Sequence, residues 1–177
     1  GGLDTFRDDP VPLAQVFETQ TGVTQAIRLP DNSRVTLGAD SEMTLTLSDT
    51  ARVAKLTRGS AFFDVSTDPD RPFTVSTSLG SARVVGTRFD VSSRANETVI
   101  AVLEGAVDVA DQASDTKAVN PSKLVLTANQ AVEITRENGL GLVYDVFPAE
   151  IGAWRSGRLV YVRKSLASVV EDLNRYS

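Results

Sequence analysis

Apolar and polar residues alternate along most of the chain between residues 25 and 135. Successive side chains of a β-strand point to opposite faces, so this pattern predicts a series of strands that each bury one face. Residues 30–33 separate two such runs and carry the proline, aspartate, asparagine and serine that favour tight turns. Further along, Asn138 and Gly139 form a strong hairpin signal between two more predicted strands.

A unit made of a leucine, a short turn and a strand recurs at intervals of about 23 residues. The sequence therefore predicts a mainly β fold, an antiparallel rolled sheet or β-sandwich with solenoid-like hairpin repeats. Chance spacing among many hairpins remains the alternative. The repeated leucines are Leu56, Leu79, Leu103 and Leu126, and the turn residues expected to accept a positive φ are Gly59, Gly80, Gly105 and Asn129.

One strand pattern near the middle of the chain is interrupted by Gly86. A glycine at such a place indicates a β-bulge or a close approach of another segment, and we expect Gly86 to lie in a central strand. Arg71 and Arg88 are expected to form ion pairs with nearby acids such as Asp64 or Asp90. The residues expected to have structural roles are Gly59, Phe62, Phe63, Phe73, Gly86, Phe89 and Gly105.

The pattern changes at both ends of the β region, which divides the chain into three parts. Residues 1–18 indicate an extended lead-in with an edge strand at Val16 and Phe17. Residues 19–147 form the predicted β domain. Residues 148–177 are expected to form a linker helix and a small, partial α+β module, which is too short to close a core of its own.

The last part begins with one or two predicted helical turns, which start at Pro148 and end at Gly157. A short strand is predicted over residues 158–163. A helix is predicted over residues 165–176, with Ser165 as its N-cap. Four apolar residues of this helix recur at the spacing that places them on one face: Leu166, Val169, Val170 and Leu173.

Composition excludes several function classes. The sequence contains no histidine and no cysteine and carries a net charge of −5. It therefore lacks the commonest general base, the commonest metal ligand, the thiol nucleophile and any disulfide. Its basic residues are scattered among acids, which argues against nucleic acid as a partner. We expect the protein not to be an enzyme and to bind no cofactor or metal.

Acidic residues raise the main alternative. A pair of carboxylates can hydrolyse glycosides, so a carbohydrate-binding or glycosidase-like β domain is the second hypothesis. Acids at alternate strand positions more often form a solvated face, which we favour. Residues 68–70 are expected to form a β-turn, since they lack the spaced oxygen ligands of a calcium site. The candidate carboxylates are Asp64, Asp90, Glu104 and Asp108.

The predicted strand over residues 158–163 has the properties of a partner-binding element. At the edge of an incomplete sheet, its free N–H and C=O groups can accept a strand from another protein, unless other parts of the protein cover that edge. Trp154, the only tryptophan, is either an interface anchor or a plug that packs the tail on the β domain. The expected partner-binding residues are Trp154, Arg158, Leu159, Val160, Tyr161, Val162 and Arg163.

Five ordered motifs, spread over about residues 20–176, resemble those of the FecR family of sigma-factor regulators. They are "IRLPDNSRVTLGADSEMTL", "KLTRGSAFFDVSTDPDRPFTVST", "RVVGTRFDV", "VIAVLEGAVDV" and "WRSGRLVYVRKSLASVVEDLNRY". Asn32 and Ser60 replace a glycine and a glutamate of the family pattern, which a turn tolerates. Ser165 stands where the family usually has proline. The last motif is similar to the start of a secretin/TonB short N-terminal-like module.

The resemblance implies a single-pass protein of the bacterial inner membrane whose C-terminal part lies in the periplasm. It implies that the cytoplasmic part restrains an extracytoplasmic-function sigma factor. It also implies that the periplasmic part senses a TonB-dependent outer-membrane transporter, often one for ferric siderophores, by contacting that transporter's periplasmic signalling domain. This chain resembles the periplasmic part only, and no direct metal or siderophore binding is expected of it.

Overall fold

The computed structural model describes residues 13–112 and 122–156. Within these ranges the chain is mainly β, with fourteen strands in one sheet that folds into two layers. This confirms the predicted fold class, a rolled sheet or β-sandwich. The strand predicted over residues 158–163 and the helix predicted over residues 165–176 lie outside the described residues.

The strands follow the alternation of apolar and polar residues in the sequence. All neighbouring strands pair antiparallel except β5 and β6, which pair parallel. The bounds are β1 Leu13–Glu18, β2 Gln25–Arg28, β3 Arg34–Leu37, β4 Glu42–Leu47, β5 Arg52–Asp64, β6 Phe73–Ser76, β7 Gly80–Val84, β8 Arg88–Ser93, β9 Glu97–Glu104, β10 Ala106–Asp111, β11 Lys123–Thr127, β12 Gln130–Thr135, β13 Gly139–Leu140 and β14 Tyr144–Asp145.

The 13-residue β5 joins the two layers. Its first half pairs with β4 and β6 in one layer, and its second half pairs with β3 and β8 in the other. The change of layer occurs at Gly59, whose φ of +93° suits glycine alone. A Cβ at this position would collide with the side chain of Ser41 and lie 2.6 Å from its Cα. Gly59 therefore permits both the bend and the close packing against Ser41.

Two other predicted turn residues mark similar passages between the layers. Gly105, with a φ of +91°, lies between β9 and β10, and Asn129, with a φ of +68°, lies between β11 and β12. Gly80 does not have a positive φ, so that expectation is wrong. It begins β7, where a Cβ would lie 2.6 Å from the carbonyl oxygen of Ala110.

Gly86 lies in the connection between β7 and β8, so the expectation that it interrupts a central strand is wrong. The alternative of a close approach describes its surroundings. A Cβ on Gly86 would collide with the side chain of Thr67 and lie 2.8 Å from the Thr67 Cα. The glycine thus lets the β7–β8 connection pack directly on the loop that follows β5.

Turns and edges match several local predictions. Residues 30–33 connect β2 and β3, with Asn32 at a φ of +70°, and Gly139 follows the β12–β13 turn at a φ of +71°. Among the described strands β1 pairs only with β4, which confirms the predicted edge strand. Residues 148–156 form two short 3-10 helices, Pro148–Glu150 and Ala153–Ser156, where one or two helical turns were predicted.

The core between the layers is centred on three phenylalanines. The ring of Phe63 stacks on that of Phe89, with centroids 5.1 Å apart, and meets that of Phe73 edge-on at 5.8 Å. All three side chains are fully buried, and their packing joins β5, β6 and β8. The repeated leucines Leu56, Leu79 and Leu126 belong to the same core.

Among the described residues, Arg52 at the start of β5 is an arginine that is fully buried in the interior. Its Nη1 donates to Oδ2 of Asp31 at 2.8 Å and to the carbonyl oxygen of Ser66 at 2.9 Å. Its Nε donates to the carbonyl oxygen of Arg71 at 2.7 Å, and its Nη2 to that of Val85 at 3.2 Å. One side chain therefore ties β5 to three loops.

Candidate partner-binding site

The last described segment, residues 148–156, crosses the outer face of the second layer. In β5, Phe63 points into the core, so its neighbour Phe62 points to the outer face. Phe62 is only 2% exposed because this segment covers it. Ile151 and Ala153 of the segment are buried as well. The segment is therefore packed on the β domain up to the point where the predicted partner-binding strand would begin.

Three contacts hold the segment on this face. The Trp154 indole N–H donates to Oδ1 of Asp90 in β8 at 2.8 Å. The Arg155 guanidinium lies over the ring of Phe62, 3.6 Å from its centroid, in a cation–π arrangement. Gly152, with a φ of +66°, lets the chain approach so closely that a Cβ would lie 2.6 Å from the Phe62 ring.

Charged groups surround this contact. Arg88 lies between Glu104 at 2.9 Å and Asp64 at 3.6 Å on the same face. Burial lowers the pKa of the Arg155 guanidinium, and the nearby Asp90 carboxylate opposes that effect. Because arginine titrates far above neutral pH, Arg155 stays positively charged and keeps its attraction to the ring of Phe62.

The structure describes one of the seven predicted partner-binding residues, Trp154. Its half-buried side chain packs against the β domain, as in the plug alternative. The other six, residues 158–163, lie outside the described residues, and their role stays a prediction. Sequence reasoning missed Asp90 as the partner of Trp154, since 64 positions separate the two residues.

Replacing Asp90 with alanine is expected to loosen this attachment. The variant loses the hydrogen bond from Trp154, so the free energy of unfolding should fall by about 1–2 kcal/mol. Because the chain has a single tryptophan, its fluorescence reports on this site alone, and acrylamide should quench it more strongly. Glu104→Ala, on the same face but with a side chain 66% exposed, is the control. Unchanged quenching in Asp90→Ala would contradict the role of the contact.

Of the two arginines expected to form ion pairs with nearby acids, one has the expected partner and one has another. Arg71 pairs with Asp68 at 2.9 Å and not with Asp64 or Asp90, which corrects that expectation. Asp68 also closes the predicted β-turn, since the Arg71 N–H donates to its carbonyl oxygen at 3.1 Å. Arg88 does pair with Asp64, as expected. Asp108 is exposed on β10, opposite Arg83 of β7.

A cleft of about 650 Å³ opens where β5 changes layer. Its lining includes no aromatic ring on which a sugar could stack. Arg58, one of its cations, is held by Glu42 at 2.9 Å and Glu18 at 3.1 Å. This lining does not match the convergent acids and aromatics that a carbohydrate site would need. The charged lining residues are Asp40, Arg58, Arg94 and Arg136.

Within residues 13–112 and 122–156, no group of three or more acidic side chains is placed to hold a metal ion. Over the same ranges, no helix has the length and apolar character that crossing a bilayer requires.

The two-layer sheet and the segment packed on it define a β domain that anchors a C-terminal extension. The chain belongs to the FecR family: the model of the family described as FecR protein matches residues 15–108. This is a regulatory and not an enzymatic class of protein, in agreement with the sequence-based expectation. No curated protein sequence is significantly similar to the chain.

Solved structures extend the similarity beyond the residues that the family model matches. A protein of Parabacteroides distasonis ATCC 8503 assigned as an anti-sigma factor superposes with a TM-score of 0.82 at 27% identity, over 93% of this chain and 75% of that one. A second structure with the same assignment and organism gives a TM-score of 0.81 at 26% identity, over 92% and 74%.

Proposed function

We propose that this chain is the periplasmic part of a single-pass inner-membrane regulator of an extracytoplasmic-function sigma factor. Membership of the FecR family supports regulation of a sigma factor, as does the similarity to two structures assigned as anti-sigma factors. In this proposal the sigma factor is bound by a cytoplasmic part of the protein. The β domain acts by protein–protein contact and has no catalytic role.

The partner in this proposal is the periplasmic signalling domain of a TonB-dependent outer-membrane transporter, of the kind that takes up ferric siderophores. Residues 158–163, with Trp154 beside them, supply the binding strand. The observation that carries the proposal is the anchoring of residues 151–156 by Phe62 and Asp90. A binding strand joined at one end to a fixed segment is held closer to the β domain than a free peptide would be, which favours affinity.

Leu159→Asp tests the binding strand. A charge in the centre of a strand-addition interface should weaken binding about 30-fold, the change expected for a hot-spot residue worth ~2 kcal/mol. Affinity for the transporter's isolated signalling domain is measured by calorimetry with the full chain. Val125→Asp, at an exposed position of β11 in the first layer, is the matched control and should bind normally.

No heat of binding with the unmodified chain would count against the transporter as partner. Unchanged affinity of Leu159→Asp would remove the strand from the interface. Loss of the folded β domain in this variant, seen by circular dichroism, would show that Leu159 is a core residue and would refute its role in binding.

A further inference from the structure

The cleft at the bend of β5 has a local excess of positive charge, although the chain as a whole carries a net charge of −5. Its described lining holds three arginines and one acid, together with the hydroxyl groups of Thr21, Thr57, Ser78 and Ser93. None of these described lining residues has a large apolar side chain. Guanidinium and hydroxyl groups donate hydrogen bonds to anionic oxygens, so the lining suits an anionic, polar ligand.

The arginines of the cleft differ in how their charge is balanced. Arg58 already pairs with Glu42 at 2.9 Å and with Glu18 at 3.1 Å. Arg136 makes a single side-chain hydrogen bond within the described part of the chain, from Nη2 to the carbonyl oxygen of Ala95 at 3.0 Å. A neutral carbonyl does not balance a full positive charge, and the other N–H groups of this guanidinium can still receive an anion.

A second cationic side chain lies at the same turn as Arg136. Arg94 ends the buried stretch of β8, is only 8% exposed, and donates from Nη1 to Oγ of Ser92. Ala95, which accepts the hydrogen bond from Arg136, directly follows it, and the Arg136 N–H donates to the carbonyl oxygen of Asn96 at 3.0 Å. Charges that converge in a partly desolvated cleft attract an anion more strongly than they would on an open surface.

The backbone that presents these groups is fixed by tight turns. The Arg94 N–H donates to the carbonyl oxygen of Glu97 at 2.8 Å, which closes the β8–β9 turn. The Thr77 N–H donates to that of Gly80 at 2.8 Å, so the β6–β7 turn presents the exposed Ser78 at its tip. Because the donors are already held in place, a ligand gains their hydrogen bonds at little cost in backbone order.

We propose that this cleft binds an acidic, extended peptide segment of a partner protein, with a carboxylate of the peptide held by Arg94 and Arg136. The opposite end of the cleft has the reverse character, since Asp40 lies there, 4.0 Å from Nε of Arg58. A peptide offers carboxylates to the first end and backbone N–H donors to the second. The volume of about 650 Å³ also exceeds what a single carboxylate fills. The assignment does not depend on the proposed transporter partner.

An NMR titration with a capped peptide of four glutamates tests the site on the isotope-labelled full chain. The expected result is a saturable shift of the amide signals of Ser78, Arg94, Ala95 and Arg136, which weakens at high salt because the attraction is screened. A capped peptide of four glutamines has the same length without the charge and should leave these signals unchanged. Absence of a saturable shift with the glutamate peptide at millimolar concentration would overturn the proposal.

Arg136→Gln removes one of the two proposed carboxylate ligands from an exposed position. Binding of the glutamate peptide should weaken about tenfold, the loss expected for a hydrogen bond to a charged group. Circular dichroism checks that the variant stays folded. Arg83→Gln, which makes the same charge change at an exposed position of β7 in the first layer, is the matched control and should bind normally. Equal weakening in both variants would mean unspecific attraction and would refute the site.

A free oxyanion is the competing ligand. Inorganic phosphate is titrated at the same ionic strength, and the same amide signals are followed. Binding weaker than that of the glutamate peptide would support a site for an acidic peptide. If phosphate binds as tightly as the peptide and displaces it, the cleft is a site for small anions and the peptide assignment is wrong.

Discussion

Replacing Arg52 with methionine is expected to lower the free energy of unfolding by about 3–5 kcal/mol, the usual cost of breaking a buried ion pair from one side. Methionine fills much of the same volume but donates no hydrogen bond. The Asp31 carboxylate, whose side chain is 8% exposed, then loses its charged partner. The carbonyl oxygens of Ser66, Arg71 and Val85 lose donors as well. Unmet buried acceptors cost more than the bonds themselves are worth.

Urea unfolding followed by circular dichroism measures this effect. Arg58→Met is the matched control: Arg58 lies in the same strand and pairs with Glu18 and Glu42, but its side chain is 44% exposed. A surface pair of this kind contributes about 0–1 kcal/mol. An equal effect of both substitutions would show that the buried network of Arg52 adds nothing to stability.

The stability of the protein at low pH should depend on the same hydrogen bonds between Arg52 and Asp31. Burial raises the pKa of Asp31, but hydrogen bonds from Arg52 and Ser33 together outweigh it, so the pKa lies below its ordinary value. A carboxyl with a lowered pKa in the folded state stabilises the fold above its unfolded pKa, and this contribution is lost as the pH falls through the folded pKa. The difference in the free energy of unfolding between the unmodified chain and Arg52→Met should therefore become smaller below about pH 4.

Much of the β domain could be predicted from the sequence because its strands bury one face and expose the other. Met43 and Leu45 alternate with threonines in β4, and the structure buries the first pair and half-buries the second. Turn chemistry was equally informative at Asn32 and Gly139, where the local sequence alone determines a positive φ. Local signals of this kind do not require knowledge of distant partners.

Contacts between distant segments could not be predicted in the same way. Arg52 occupies an inward position of β5, in step with buried Ala54 and Leu56. A charged residue at an inward-facing position is visible in the sequence. The loops that accept the hydrogen bonds of Arg52 can be identified only in the folded chain. Position 86 requires a glycine because Thr67 packs against it, and Trp154 is held by Asp90. The local spacing of residues in the sequence reveals neither contact.

Replacing Gly59 with alanine is expected to lower the free energy of unfolding by about 3–5 kcal/mol, the sum of strain, overpacking and a lost hydrogen bond. A φ of +93° is unfavourable for any residue with a Cβ. The new methyl group would also collide with Ser41, whose side-chain oxygen accepts the Ser60 N–H at 3.0 Å. The bend that carries β5 between the layers must then open.

Gly22→Ala separates these causes. Gly22 has a similar φ of +78°, but no atom lies within 4 Å of its missing Cβ, so only backbone strain of about 1 kcal/mol is expected there. Thermal and urea unfolding of both variants give the comparison. The larger loss in Gly59→Ala measures the packing against Ser41. Equal losses in the two variants would mean that β5 turns between the layers without requiring that close contact.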